Sequence, residues 1–174
     1  MQFRMQEMMA KGLKSTIQED LDVSGLFKGR IDVIRTSPLH VSLEVVGHDG
    51  FITADGELSA DLELACSRCL EPTKGHNTVI PFFEQFKPAS KGDAEDGTGE
   101  DEDSDFVEIE GDKLDLKPFV EEALQLFMPF APLCDDKCKG LCQTCGQNLN
   151  ERTCGCNNER IDPRFDSLKD LFKD

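Results

Sequence analysis

Eight cysteines stand in four close pairs. Six of them lie in the run Cys134-x3-Cys138-x3-Cys142-x2-Cys145-x8-Cys154-x-Cys156, and an earlier Cys66-x2-Cys69 completes the set. Thiolates two residues apart across a tight turn can both reach one ion, and four of them make a closed tetrahedral site for Zn²⁺. Gly146 follows Cys145 where such a knuckle needs a residue tolerant of positive φ. Eight sulfurs therefore suit one to two structural zinc ions. Each ion would supply folding free energy to a segment poor in large apolar residues.

Cys142, Cys145, Cys154 and Cys156 form the stronger local set, since a short loop from 146 to 153 separates two tight pairs. The alternative, four unrelated small hydrophobes, finds nothing to pack against in a stretch holding Gln143, Asn148 and Asn150. For Cys66, Cys69, Cys134 and Cys138 two arrangements satisfy the spacing. Either these four share an ion across the chain, or Cys134 and Cys138 exchange roles with the other pairs. Cys66 and Cys69 without metal is the bland alternative. Redox use of Cys-x-x-Cys would need a strand and helix start within a βαβ pattern, which the sequence lacks. A catalytic zinc keeps an open position and often takes His or carboxylate, whereas His40, His48 and His76 lie outside the cluster. No phosphate loop, nucleotide fingerprint or usable Ser/His/Asp set is present. The chain reads as non-enzymatic, with no small-molecule substrate.

The formal charge of −16 is unevenly spread. Residues 1–91 carry 10 basic and 13 acidic side chains, 92–133 carry 2 and 14, and 134–174 carry 7 and 8. Residues 1–17 are interrupted by Arg4, Glu7, Lys11 and Lys14, and no apolar run reaches membrane-spanning length. A cytoplasmic location with no membrane contact is the expectation, and a reducing cytosol favours ligands over disulfides.

The elements that must position these cysteines are mostly strands. Val41, Leu43 and Val45 alternate with polar residues, as do Leu58, Ala60, Leu62, Leu64 and Cys66, so strands are predicted over 40–46 and 58–66. Asp49-Gly50 and Asp55-Gly56 read as turns; Ile31, Val33 and 79–83 read as further strands, and His76 as a turn residue. Residues 116–128 predict a helix with Pro118 in its first turn and Phe119, Ala123, Leu124 and Phe127 as its buried stripe. Asp162-Pro163-Arg164 opens a short final helix carrying Phe165, Leu168 and Leu171. The fold class is α+β: a small antiparallel β barrel or curled sheet, a helix, and a C-terminal cysteine-rich zinc-binding segment. Four regions follow. Residues 1–88 are a β-rich domain with the first Cys-x-x-Cys, and 89–105 an acidic disordered linker. Residues 106–133 are a returning strand and helix that complete the core, and 134–174 the zinc-binding segment.

The motifs Cys66-Ser67-Arg68-Cys69-Leu70-Glu71-Pro72, Leu114-Asp115-Leu116, Glu121-Glu122 and Cys138-Lys139-Gly140-Leu141-Cys142-x-x-Cys145-Gly146-x-Asn148-Leu149-Asn150 resemble the YceD family of large-subunit ribosomal RNA accumulation proteins. Cys154-x-Cys156 and Asp162-Pro163-Arg164 fit as well, and the resemblance spans roughly residues 20–174. It implies a non-enzymatic ribosome-biogenesis factor required for accumulation or processing of 23S rRNA of the large subunit. The partner would be a ribosomal RNA precursor or a basic large-subunit ribosomal protein. Direct RNA contact would draw on Arg68, Lys137, Lys139 and Arg152 beside the cysteines, although counterion release favours a far more basic surface. Two other classes stand beside this reading: a zinc-held protein-interaction adaptor that does not touch RNA, and a thiol-redox or zinc-handling protein.

Overall fold

The computed structural model describes residues 1–73, 76–89 and 106–156. Its elements in chain order are β1 (Gln2–Arg4), α1 (Met5–Lys11), β2 (Lys14–Leu21), a short 3-10 turn (Ser24–Phe27), β3 (Val33–Thr36), β4 (Leu39–Gly47), β5 (Ile52–Leu64), β6 (His76–Pro88), β7 (Phe106–Ile109), β8 (Lys113–Asp115) and α2 (Lys117–Phe127). The acidic linker reading, from residue 90 onward, lies outside the described residues, and so does the final helix read at 162–171.

The chain is α+β and mostly sheet. The large sheet runs β2-β4-β5-β6-β7, with β3 paired to the far end of β5. Among the described residues β2 and β7 form no ladder with each other, so the sheet is open and the barrel alternative is not realised. One pairing is parallel: β7 lies beside β6 in register Gln85 to Phe106. The small β1–β8 ladder ties the N-terminus to residues 113–115.

Period-two alternation selects the inner face. Val41, Leu43, Val45, Leu58, Ala60, Leu62 and Leu64 are all buried, which side chains on one face of a pleated strand must be together. Two further elements close over that face. Met5 and Met8 of α1, one turn apart, are buried in the same cluster as Val120 and Leu124 of α2. Phe119 meets Phe86 of β6 edge-on, with ring centres 4.9 Å apart.

Three local expectations change and one holds. The α2 stripe centres on Val120 and Leu124, while Phe127 at the helix end is half exposed. His76 opens β6 opposite Leu62 instead of forming a turn. Asp49-Gly50 does close a hairpin, with the His48 N–H donating to Phe51 O at 2.8 Å. Asp55-Gly56 does not turn the chain: Gly56 sits mid-strand between Leu43 and Phe82. A Cβ there would fall 2.2 Å from Ser42 O, so this glycine marks a close approach of two strand backbones.

No helix among the described residues is long and apolar enough to cross a membrane.

Candidate metal centre

The long strand β5 runs out at Leu64 and hands the chain directly to Cys66-Ser67-Arg68-Cys69. That turn has a definite build. Leu70 N–H donates to Cys66 O at 2.9 Å, Cys66 N–H to Glu71 O at 2.8 Å, and Ala65 bridges Pro72. The turn at Cys142-Gln143-Thr144-Cys145 repeats this position by position. Gly146 N–H donates to Cys142 O and Cys142 N–H to Gln147 O, both at 2.8 Å, and Leu141 bridges Asn148. In each turn the residue after the second cysteine takes a left-handed backbone, φ 73 at Gly146 and φ 63 at Leu70. The two Cys-x-x-Cys segments are the same knuckle built twice.

The eight sulfurs gather into two groups, Cys66, Cys69, Cys134, Cys138 and Cys142, Cys145, Cys154, Cys156, each with all Sγ atoms within 4.8 Å of one another. In the first group Cys66 and Cys138 sulfurs are 3.8 Å apart, and those of Cys69 and Cys134 3.5 Å. A tetrahedron with metal–sulfur bonds of about 2.3 Å has sulfur–sulfur edges of about 3.8 Å, so the donors fit a soft divalent ion such as zinc. They are far too widely separated for disulfides, whose sulfurs stand about 2.0 Å apart. With four thiolates the coordination shell is complete and leaves no position open for a substrate.

The electrostatics of the thiols point the same way. Burial pushes the Cys66 thiol up, but backbone N–H groups of Cys134, Arg68 and Cys69 outweigh it and hold the thiol down at about 6. A hydrogen bond from Asn150 outweighs burial and lowers Cys138. Their neighbours go the other way. Cys134 is pushed up to about 12, first by its contact with Cys69 and then by burial, and Cys156 likewise by Cys145. Four sulfurs this close cannot all carry charge unaided, because each thiolate disfavours the next. A divalent cation removes that conflict.

The first group is the drier one. Cys66, Cys69 and Cys138 are buried with Leu133, Cys134 and Leu141 packed around them, whereas Cys145 is exposed and Cys154 and Cys156 are half-buried. Because Cys134 and Cys138 belong to the first group and Cys142 to the second, the run 138–142 joins the two. Residues 132–138 also reach back to the sheet end: Ser67 N–H donates to Pro132 O at 2.8 Å.

Of the basic residues singled out from sequence, Arg68 has a structural task. Its Nη1 donates to Cys138 O at 2.9 Å, and its own carbonyl accepts from Leu141 N–H at 3.0 Å. Lys139 is exposed on the same run, and Arg152 on the loop that follows. Lys137 lines a hollow with Glu71, Asp135 and Glu151, so acids interleave with these bases. Two residues passed over by the spacing argument matter here. Asn150 bonds the Cys138 sulfur at 3.2 Å, and its only sequence signal was its place in the Asn148-Leu149-Asn150 motif. Leu70 holds the left-handed position that Gly146 holds in the second knuckle, and nothing in its side chain announces that.

Leu70 is therefore a place to test the knuckle. It is 65% exposed, so its side chain adds little packing, while an L-residue in this backbone region carries roughly 1–2 kcal/mol of strain. Leu70→Gly is expected to leave thermal stability within about 0.5 kcal/mol of the original or raise it, since relieved strain offsets the added chain entropy. Leu70→Val is expected to destabilise the knuckle by more than about 1 kcal/mol, because β-branching tolerates positive φ least. Equal melting temperatures for the two variants would argue against the left-handed turn.

A family model described as large ribosomal RNA subunit accumulation protein YceD matches residues 54–172, which takes in both cysteine groups. An Arabidopsis thaliana protein named large ribosomal RNA subunit accumulation protein YCED homolog 1, chloroplastic, is 28% identical over 161 residues, covering 78% of this chain and 49% of its own. Its Zea mays namesake is 25% identical over 162 residues, 79% of this chain and 54% of its own. An uncharacterized Mycobacterium tuberculosis protein is 31% identical over 134 residues, 77% of this chain and 62% of its own. The chain thus spans about half to three fifths of the length of these relatives. No solved structure matches it. With two thirds of its length under one family model, the chain belongs to the YceD family.

Proposed function

We propose that this protein is a non-enzymatic ribosome-biogenesis factor that supports accumulation of 23S rRNA of the large subunit. In this reading two structural zinc ions hold its C-terminal segment against the sheet end. The observation that carries the reading is the family match across both cysteine groups, joined to sulfur spacings that suit closed four-sulfur sites. Depleting the protein in its own cell is expected to lower mature 23S RNA severalfold relative to 16S RNA. The ratio of free large subunits to whole ribosomes on a sucrose gradient should change with it. Normal RNA levels and subunit profiles after full depletion would end this reading.

A second reading concerns the partner, and the outer face of the sheet favours it. Asp55, Glu57 and Asp61 stand exposed along β5. They are opposite Phe83, Pro81 and Asn77 of β6, and Phe83 and Val79 are exposed beside them. Such a face repels a phosphate backbone and suits a basic polypeptide with apolar side chains. Contact through a basic large-subunit ribosomal protein is accordingly preferred over direct RNA contact through Arg68, Lys137, Lys139 and Arg152. Reversing Lys139 and Arg152 to Glu, which leaves the structural Arg68 in place, separates the two. A fall in binding to 23S RNA fragments with a shallower salt slope would favour RNA contact, and unchanged behaviour would favour the protein partner.

A further inference from the structure

We propose that the two four-cysteine groups load metal cooperatively, and that Asn150 is the positioning residue that couples them. The inference rests on the zinc reading of both groups. Asn150 belongs by sequence to the second group, in the loop between Cys145 and Cys154. Its side chain serves the first. Nδ2 donates to the Cys138 sulfur at 3.2 Å and to Asn148 Oδ1 at 3.0 Å, and Oδ1 accepts from Lys139 N–H at 2.7 Å. Asn148 Oδ1 also accepts from Asn150 N–H at 3.0 Å, which fixes the asparagine within its own loop.

The backbone repeats the connection. Leu149 N–H donates to Gly140 O at 2.9 Å, and Leu141 N–H donates to Arg68 O at 3.0 Å. Gly140, between the last ligand of one group and the first of the other, has φ 75 and no room for a side chain, since a Cβ would stand 3.0 Å from Arg68 O. The two sites therefore meet through a short contact in which residues 148–150 of one support residues 138–141 of the other.

The physical consequence follows from what each ion would close. Metal at the second group pins both ends of the loop that carries Asn150, at Cys145 and at Cys154. A pinned loop presents an N–H to the Cys138 sulfur, which offsets part of the thiolate charge and fixes the ligand's position. Partners that orient a ligand in this way are typically worth about 10–100-fold in metal affinity. Loss of the second ion frees the loop, and Cys138 loses its donor. Coupling of binding free energies is reciprocal, so the first ion must favour the second by the same factor.

The test uses the reduced, metal-free full-length chain, titrated anaerobically with Co²⁺ and read by its sulfur-to-cobalt charge-transfer band, with Zn²⁺ competition to set the affinities. In a chain carrying Cys154→Ser and Cys156→Ser, affinity at the first group is expected to fall about 10–100-fold. Cys66→Ser with Cys69→Ser should lower affinity at the second group by the same factor. Asn150→Ala, which keeps all eight cysteines, should weaken the coupling. Asn150→Asp should weaken it at least as much: its carboxylate keeps the acceptor for Lys139 N–H but turns a negative charge toward the sulfur. First-group affinity unchanged in the double-serine chain and in both Asn150 variants, with two Co²⁺ still bound to the wild type, would overturn the coupling alone. A wild-type chain that takes up no Co²⁺ would overturn the zinc reading with it.

Discussion

If zinc fills the two cysteine groups as proposed, stripping it from the purified, reduced protein is expected to unfold residues 134–156 and to leave the sheet standing. Among the described residues this stretch contains no helix or named strand. Among the described residues, the apolar side chains packed on its buried cysteine cluster are Leu133 and Leu141, while the sheet and two helices share a separate core from Met5 to Leu124. On the zinc reading, the metal and not burial by the described residues holds this segment. Structural zinc contributes about 10–16 kcal/mol in small finger peptides near neutral pH, on the scale of a typical domain's whole stability of about 5–15 kcal/mol. Without the ion, four sulfurs within 4.8 Å of one another resist joint ionisation, and their protonated forms offer only weak hydrogen bonds. Amide exchange followed before and after chelation measures the outcome. The N–H groups of Cys142, Gly146 and Leu149 should lose protection by orders of magnitude, and those of residues 58–64 should keep most of theirs. A segment that stays protected once fully stripped would show that packing suffices. A sheet that unfolds in step with it would show a single cooperative unit.

How much of this could be read beforehand depends on whether the signal was local. Alternation at Val41–Val45 and Leu58–Leu64 is a property of one strand, and it named the inner face correctly. The parallel pairing of β6 with β7 is a relation between strands, which periodicity does not carry. Helix α1 was passed over because seven residues broken by Gln6 and Glu7 leave only Met5 and Met8 as a stripe, too short to stand out. Asp55-Gly56 was misread because its composition is that of a turn, whereas the glycine is there for the backbone of β4. At the metal centre, spacing within 142–156 makes a local pairing visible. Contact of Cys69 with Cys134, 65 residues away, depends on where β5 and α2 end, and the sequence left it as one of two arrangements. Asn150 acts through a few side-chain hydrogen bonds and Leu70 through a single dihedral angle, and neither effect can be read from residue type or spacing.

Gly56→Ala is expected to cost about 4 kcal/mol, a large loss for a single added methyl group. Gly56 pairs with Leu43 on one side and Phe82 on the other, in the middle of the strand that delivers Cys66 to the metal centre. The added carbon would stand 2.2 Å from Ser42 O and 3.0 Å from Leu43 Cα, and both obstacles are backbone. A side chain could rotate away; a strand held by ladder bonds at eight paired positions from His40 to Gly47 cannot shift at one of them alone. Overpacking of this kind costs about 3 kcal/mol at the upper end of its usual range, and the left-handed side of the backbone map adds about 1 kcal/mol for an L-residue. Urea unfolding followed by circular dichroism should show a much lower midpoint at nearly the same slope. Asp55→Ala, one position earlier and exposed, is the control and should move the midpoint little. Because β5 ends at the first knuckle, opening the β4–β5 ladder should also loosen the anchor of Cys66 and Cys69. Zinc release from the Gly56→Ala chain in mild urea is therefore expected at a lower concentration than from the wild type. Equal midpoints for Gly56→Ala and Asp55→Ala would mean that the two strands do not approach this closely at residue 56.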